Sequence, residues 1–189
     1  MGRMTLYHTG FEEIRRPDIY YGRKNADFGQ GFYTSDDRAF SERWAKERTG
    51  SITYFNVYEL ETDGLSIKRF ERGEEWFDYI YNNRSRREDY LREYDVIIGP
   101  IANDTIYNVM GITTSGFLAR EDAAKLLMIG PCYQQIVIKS EKAVSQLFWQ
   151  SSEPVSSERI ADYQETVHRE ETAYQELFAE AMQKLLGDE

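Results

Sequence analysis

Asp27-Phe28-Gly29-Gln30-Gly31-Phe32-Tyr33-Thr34-Ser35, with Trp44 eleven residues beyond its tyrosine, decides how this chain folds and what it can hold. Eighteen residues before Asp27 ends the short run Thr5-Leu6-Tyr7-His8-Thr9. Gly29 and Gly31 flank Gln30 and give the main chain freedom to pass close to a ligand. Tyr33 and Trp44 can present two ring faces to a flat, cationic group. His8, at the end of a short strand, can hydrogen-bond a ribose hydroxyl while the main chain at Thr9 pairs with a carboxamide. Singly, each aromatic also fits ordinary core packing. As an ordered set they suit the nicotinamide end of NAD+.

Outward from that stretch, residues 5–8 read as a strand, 17–30 as a loop punctuated by Pro, Gly, Asn and Asp, and 32–34 as a short extended piece. Ser35-Asp36-Asp37 offer N-caps for a helix to about residue 48, with Phe40 and Trp44 on one face and Gly50 as its stop. Residues 51–60 alternate as a half-buried strand, Thr62-Asp63-Gly64 turns, and 65–70 is a second strand. A helix over 74–92 carries Trp76, Phe77, Ile80 and Tyr81 as its apolar stripe, with Asn82-Asn83 as its weak point. A buried strand at 95–100 stops at Gly99-Pro100. A helix around 117–128 ends before Gly130-Pro131, and strands follow at 133–139 and 143–150. From about residue 156 one long helix begins. Ile160, Tyr163, Val167, Tyr174, Leu177 and Ala181 form its stripe, which packs on its own domain or docks on a partner. The order predicts an α+β fold with mixed or antiparallel pairing. Regular strand–helix alternation and a glycine-rich first turn, the marks of a doubly wound sheet, are missing.

The 189 residues fit one domain at 1–152 with an appended helix at 153–189. The net charge of −10 is uneven: residues 153–189 carry ten acids and three bases, leaving the body at −3. The near balance of the body weakens the case against nucleic acid that the total would otherwise make. Arg84, Arg86, Arg87 and Arg92 lie among Asp78, Glu88, Asp89 and Glu93, a spacing that helical salt bridges explain. One cysteine and two distant histidines speak against a disulfide and against a zinc site. No apolar run approaches the roughly 20 residues of a membrane helix. The polar start of the chain predicts no signal peptide, and a cytoplasmic location with no membrane partner is expected.

The pairing of Leu6-Tyr7-His8-Thr9 with the Asp27-to-Tyr33 run resembles the ADP-ribosyltransferase superfamily of the poly-ADP-ribose polymerase and diphtheria-toxin type. More closely, Pro17-Asp18, Arg23-Lys24, Asp27 through Tyr33, Trp44-Ala45, Ile98-Gly99-Pro100 and Asn103-Asp104 are similar to the small bacterial family DUF3990, across roughly residues 4–150. The resemblance implies a split mixed sheet with flanking helices and NAD+ as co-substrate. It also implies mono-ADP-ribosyl transfer to a protein or nucleic-acid acceptor by the toxin-like member of a toxin–antitoxin or phage-defence module. An antitoxin or other partner would engage the C-terminal helix. The alternative is an inactive module that binds NAD+ or ADP-ribose. By the same resemblance His8 contacts the nicotinamide ribose, Thr9 the carboxamide, and Tyr33 and Trp44 the nicotinamide ring, with Phe28 and Gly31 completing the expected dinucleotide site. Arg23, on the loop before the glycine pair, has the planar fork to meet the pyrophosphate, or is a solvated surface arginine.

Two positions depart from that pattern. Thr9 stands where the superfamily has glycine, with Gly10 one place late. Gln134 or Gln135 stands where the superfamily's catalytic glutamate belongs, and Gln135 is the better match to the glutamine of the small bacterial family. An amide can hydrogen-bond the ribose 2′-hydroxyl but supplies neither a negative charge nor a general base. Asp104 is the first candidate for a substitute acid, and Tyr33 and Gln135 complete the expected catalytic set.

Overall fold

The computed structural model describes residues 2–106 and 118–187, the side chains of 105 and 106 excepted. Two sheets carry the fold. The first is antiparallel, ordered β1 (Arg3–Gly10), β3 (Tyr54–Glu61), β7 (Leu147–Pro154). The second is mixed, ordered β2 (Phe32–Thr34), β6 (Gln134–Ile138), β5 (Val96–Pro100), β4 (Ile67–Arg69). Within it only β4 and β5 run parallel, joined by α2 (Glu74–Arg84). The protein is thus α+β, with the sheets meeting at a bridge between Tyr7 and Ser35.

Period-two alternation sorts the side chains into three cores. Leu6, Tyr58 and Leu60 of the first sheet face Phe32, Val96, Ile98, Ile136 and Ile138 of the second, and this is the central core. The other face of the second sheet, with Ile97 and Val137, packs under Trp76, Phe77 and Ile80 of α2 and Ala123 and Leu127 of α4 (Arg120–Leu127). Trp76 Nε1–H donates to the Pro100 carbonyl at 2.8 Å, so α2 is pinned to the end of β5. The outer face of the first sheet, through Phe55, receives Val155 and Ile160. Ile160 belongs to α6 (Ser157–Gly187), a helix of 31 residues.

Several boundaries differ from expectation. The helix set to reach residue 48 is α1 (Arg38–Glu42): Asp37 caps it, accepting from the Phe40 N–H at 3.0 Å, and the chain then tightens into successive three-residue turns at Arg43, Trp44 and Ala45. The helix over 74–92 stops at Arg84, because Arg86 takes a left-handed φ of 57°. The strand expected over 143–150 is instead α5 (Glu141–Ser145), capped by Ser140, followed by β7. A short α3 (Asn103–Ile106) follows β5. The start of the helix expected at 117 lies outside the described residues, and its visible part is α4. The division drawn at 152 falls inside β7. The tail helix packs in cis through buried Ile160 and Tyr174, with Glu170 paired to Arg43 and Arg159 to Glu42. Farther along its stripe, Leu177 is half exposed. No described helix is long and apolar enough to cross a membrane.

Asp95, where β5 begins, shows how the second sheet is closed. Its carboxylate accepts from Ser140 Oγ at 2.6 Å, the Ser66 N–H at 2.8 Å and Lys142 Nζ at 3.2 Å. Burial pushes the carboxyl up, but those three donors outweigh it and hold the group below the usual carboxylate range. A depressed folded value stabilises the protein above the unfolded value of roughly 3.9 and is lost as pH falls through the folded one. Asp95→Asn should therefore cost about 1–2 kcal/mol at neutral pH and less as pH falls through the folded value. Urea denaturation at neutral and acidic pH measures this, and an equal deficit throughout would show that charge is not the cause.

Candidate functional site

Strand β1 carries His8 and Thr9 past the point where Tyr7 exchanges both main-chain hydrogen bonds with Ser35, at 2.8 and 3.0 Å. Antiparallel alternation turns the N–H and C=O of Thr9 to the same side as those of Tyr7, away from β3. Beyond Ser35 the chain leaves for α1, so the Thr9 groups face the gap between the sheets. Thr9 Oγ1–H donates to the Ser41 carbonyl at 2.7 Å, which fixes the side chain against α1. An open peptide edge is thereby held in place.

His8 lies against Phe32, with ring centroids 4.6 Å apart. Its Nδ1 meets the Tyr33 carbonyl at 2.8 Å, which makes Nδ1 the protonated nitrogen and leaves Nε2 as acceptor. Burial pushes the imidazole below its ordinary value, against the opposing pull of that carbonyl. The ring is a neutral hydrogen-bond acceptor at physiological pH.

The glycine-bearing loop is shaped by hydrogen bonds and close contacts with side chains around it. Tyr33 Oη accepts from the Phe28 N–H at 3.0 Å and donates to the Gly29 carbonyl at 2.7 Å. Gly29 has φ 73°, and a Cβ there would stand 2.3 Å from Asp89 Oδ2, so both conformation and space require glycine. At Gly31 a Cβ would come within 2.6 Å of Val137 and 2.7 Å of the Ile138 carbonyl. Gln30 Nε2 donates to the carbonyls of Tyr20, at 2.6 Å, and Gly22, at 3.0 Å. Phe28 is fully buried between Phe70 and Tyr79. Phe28 and Gly31, expected as ligand contacts, therefore do not line the cleft. They are anchors that set the course of the loop.

What remains is a cleft of about 320 Å³ in which Tyr7, His8, Thr9, Arg23, Tyr33, Trp44 and Gln135 share one wall system. That volume sits at the small end of the roughly 300–1,000 Å³ typical of small-molecule sites. Burial and the nearby Asp27 carboxylate push the Tyr33 phenol well above its ordinary value. With its hydroxyl committed to the loop, its contribution is a ring face rather than a proton. Trp44, 39% exposed, comes off the tight turn after α1 and meets Phe40 edge-on at 6.0 Å. Gln135 is buried, with Nε2 at 3.4 Å from the Pro100 carbonyl. Arg23 is exposed at the rim, with no ion pair among the described residues.

Asp104 is placed differently. Both its oxygens hold Arg84, at 2.7 and 2.9 Å, and it is not on the cleft wall. Asp27, which the sequence reading passed over as a functional acid, is on the wall, with Oδ1 2.9 Å from Arg84 Nε. Ser35, Phe40, Ser41 and Ile101 also line the cleft without having been singled out as ligand contacts. The signal for Ser35 was its place in the same run as Tyr33. Among the described residues no group of three His, Cys, Asp or Glu side chains could hold a metal ion.

A family model described as a protein of unknown function, DUF3990, matches residues 4–149. The chain belongs to the DUF3990 family. No curated protein and no solved structure matches it. In this DUF3990 chain the matched span contains every cleft-lining residue, while α6 lies beyond it.

Proposed function

We propose that this DUF3990 protein is an NAD-dependent mono-ADP-ribosyltransferase acting on a macromolecular acceptor. One observation carries the proposal: a neutral histidine, an open peptide edge, two aromatic rings and a rim arginine converge on one small cleft. In this assignment Thr9 N–H and C=O hold the carboxamide, His8 Nε2 accepts from a ribose hydroxyl, and Tyr33 and Trp44 flank the nicotinamide ring. Arg23 meets the pyrophosphate as it enters. The co-substrate supplies a C1′–N bond that breaks with its electron pair leaving on nicotinamide, while C1′ bonds to an acceptor nucleophile that gives up its proton. Gln135 hydrogen-bonds the ribose without serving as a base, which suits a single transfer. Asp27, rather than Asp104, is the carboxylate on the wall and the side chain placed to oppose positive charge.

The second reading, a module that binds NAD+ without turnover, draws on the amide at 135 and on the Arg84 guanidinium that shares the Asp27 charge. Calorimetry with NAD+, run beside an assay of nicotinamide release with and without cell lysate, separates the two. Heat of binding with acceptor-dependent release supports transfer. Binding without release supports the module, and no heat at all would sink both.

A further inference from the structure

The opposite side of the 19–30 loop carries a second concavity. Arg23, Ala26 and Asp27 face the cleft, whereas Lys24, Asn25 and Gln30 face a groove of about 750 Å³ closed by residues 86–93. It continues past Arg87 into an adjoining depression bounded by Asn82 and Tyr90. The helical salt-bridge explanation for this basic cluster holds only in part, since α2 ends at Arg84 and Arg86 and Arg87 lie off it. Arg92 takes both Glu88, at 2.6 Å, and Glu93, at 3.3 Å. Lys139 takes Asp89 at 2.6 Å. The three acids of the groove thus lie on Arg92 and Lys139, and Lys24, Arg86 and Arg87 have no carboxylate partner among the described residues. All three are exposed, and so are the rings of Tyr20 in the groove, Tyr90 in the adjoining depression, and Tyr21, which follows Tyr20 in the chain without lining either.

We infer that this groove binds a single-stranded nucleic acid. Five bases against three acids leave the groove at +2; Lys24, Arg86 and Arg87 track phosphates, and rings open to solvent offer stacking faces for unpaired bases. An acidic protein partner would use the cations but leave the rings idle, and a duplex would hide its base faces. No residue of the acidic helix α6 lines the groove, so the overall charge of −10 does not mask it. The strand's role as the ADP-ribose acceptor rests on the proposed function, because the same loop walls both sites; the binding itself does not.

The test uses fluorescein-labelled single strands of mixed sequence, one RNA and one DNA, on the order of 20 nucleotides so that several binding registers fit. Anisotropy is followed without NAD+, so failure here leaves the calorimetry of the cleft untouched. Micromolar binding at low salt is expected, with a log–log salt slope near −2 for about three phosphate contacts. Lys24→Glu/Arg86→Glu/Arg87→Glu should weaken it at least ten-fold and flatten the slope. Tyr20→Ala/Tyr21→Ala should weaken it severalfold with the slope kept. Melting temperatures of both variants serve as the check on folding, and the RNA and DNA arms identify the sugar preferred. No binding of either strand, equal binding by the triple variant, or an acidic peptide bound in preference would each overturn the inference.

Discussion

Arg84→Met is expected to lower the unfolding free energy by about 3–5 kcal/mol at neutral pH, the usual result of removing one partner from a buried ion network. Arg84 joins Asp27 at the cleft to Asp104 on α3 through three charge-assisted hydrogen bonds of 2.7–2.9 Å. Burial works against its charge, but the two carboxylates more than offset that and hold the guanidinium protonated well above its ordinary range. In the variant, Asp27 and Asp104 lose that cation at sites only 10% and 2% exposed, where solvent replaces it poorly. Urea denaturation of the wild-type protein and the variant at pH 7 should show the deficit. A loss under about 1 kcal/mol would mean that α3 and the loop are held by other means. Arg84→Lys keeps the charge but not the planar fork and should fall between the two.

The second large effect is on turnover. Tyr33→Ala should cut acceptor-dependent nicotinamide release by about 100-fold or more, since it removes a ring wall and frees the loop that shapes the cleft. Tyr33→Phe separates those causes. It keeps the ring but deprives the Gly29 carbonyl and the Phe28 N–H of the hydroxyl, at a cost of about 1–3 kcal/mol in stability. Its NAD+ affinity, measured calorimetrically, should stay within a few-fold of wild type at a temperature where the variant is folded. If Tyr33→Phe loses NAD+ binding as completely as Tyr33→Ala, the hydroxyl is the essential part and the stacking assignment falls.

Four strands were legible in the sequence: β1, β3, β5 and β6 are where the apolar pattern put them, β3 by its alternation and β5 as a continuous buried run. The convergence of His8, Thr9, Tyr33 and Trp44 was also legible as an ordered set, and Gln135 through the family resemblance. The roles inside the glycine motif were not. Phe28 and Gly31 look like ligand contacts in one dimension, but their partners, Tyr79 and Val137, come from elements far along the chain. Nor does spacing show that Arg84 would leave its helical neighbours for Asp27 and Asp104, or that α1 would end after five residues once Arg43 is drawn toward Tyr133 and Glu170.

Arg43 is the junction with the widest consequence. One guanidinium reaches Tyr133 beside β6 at 2.7 Å and Glu170 on α6, and Tyr133 in turn stacks on Phe40 at 4.5 Å. The terminal helix is therefore an outer brace for the Phe40–Trp44 wall, although it stands beyond the family's shared span. Anyone grafting the cleft onto another scaffold would have to carry that brace along, and two relatives with identical cleft residues but different tails would tension the same wall differently.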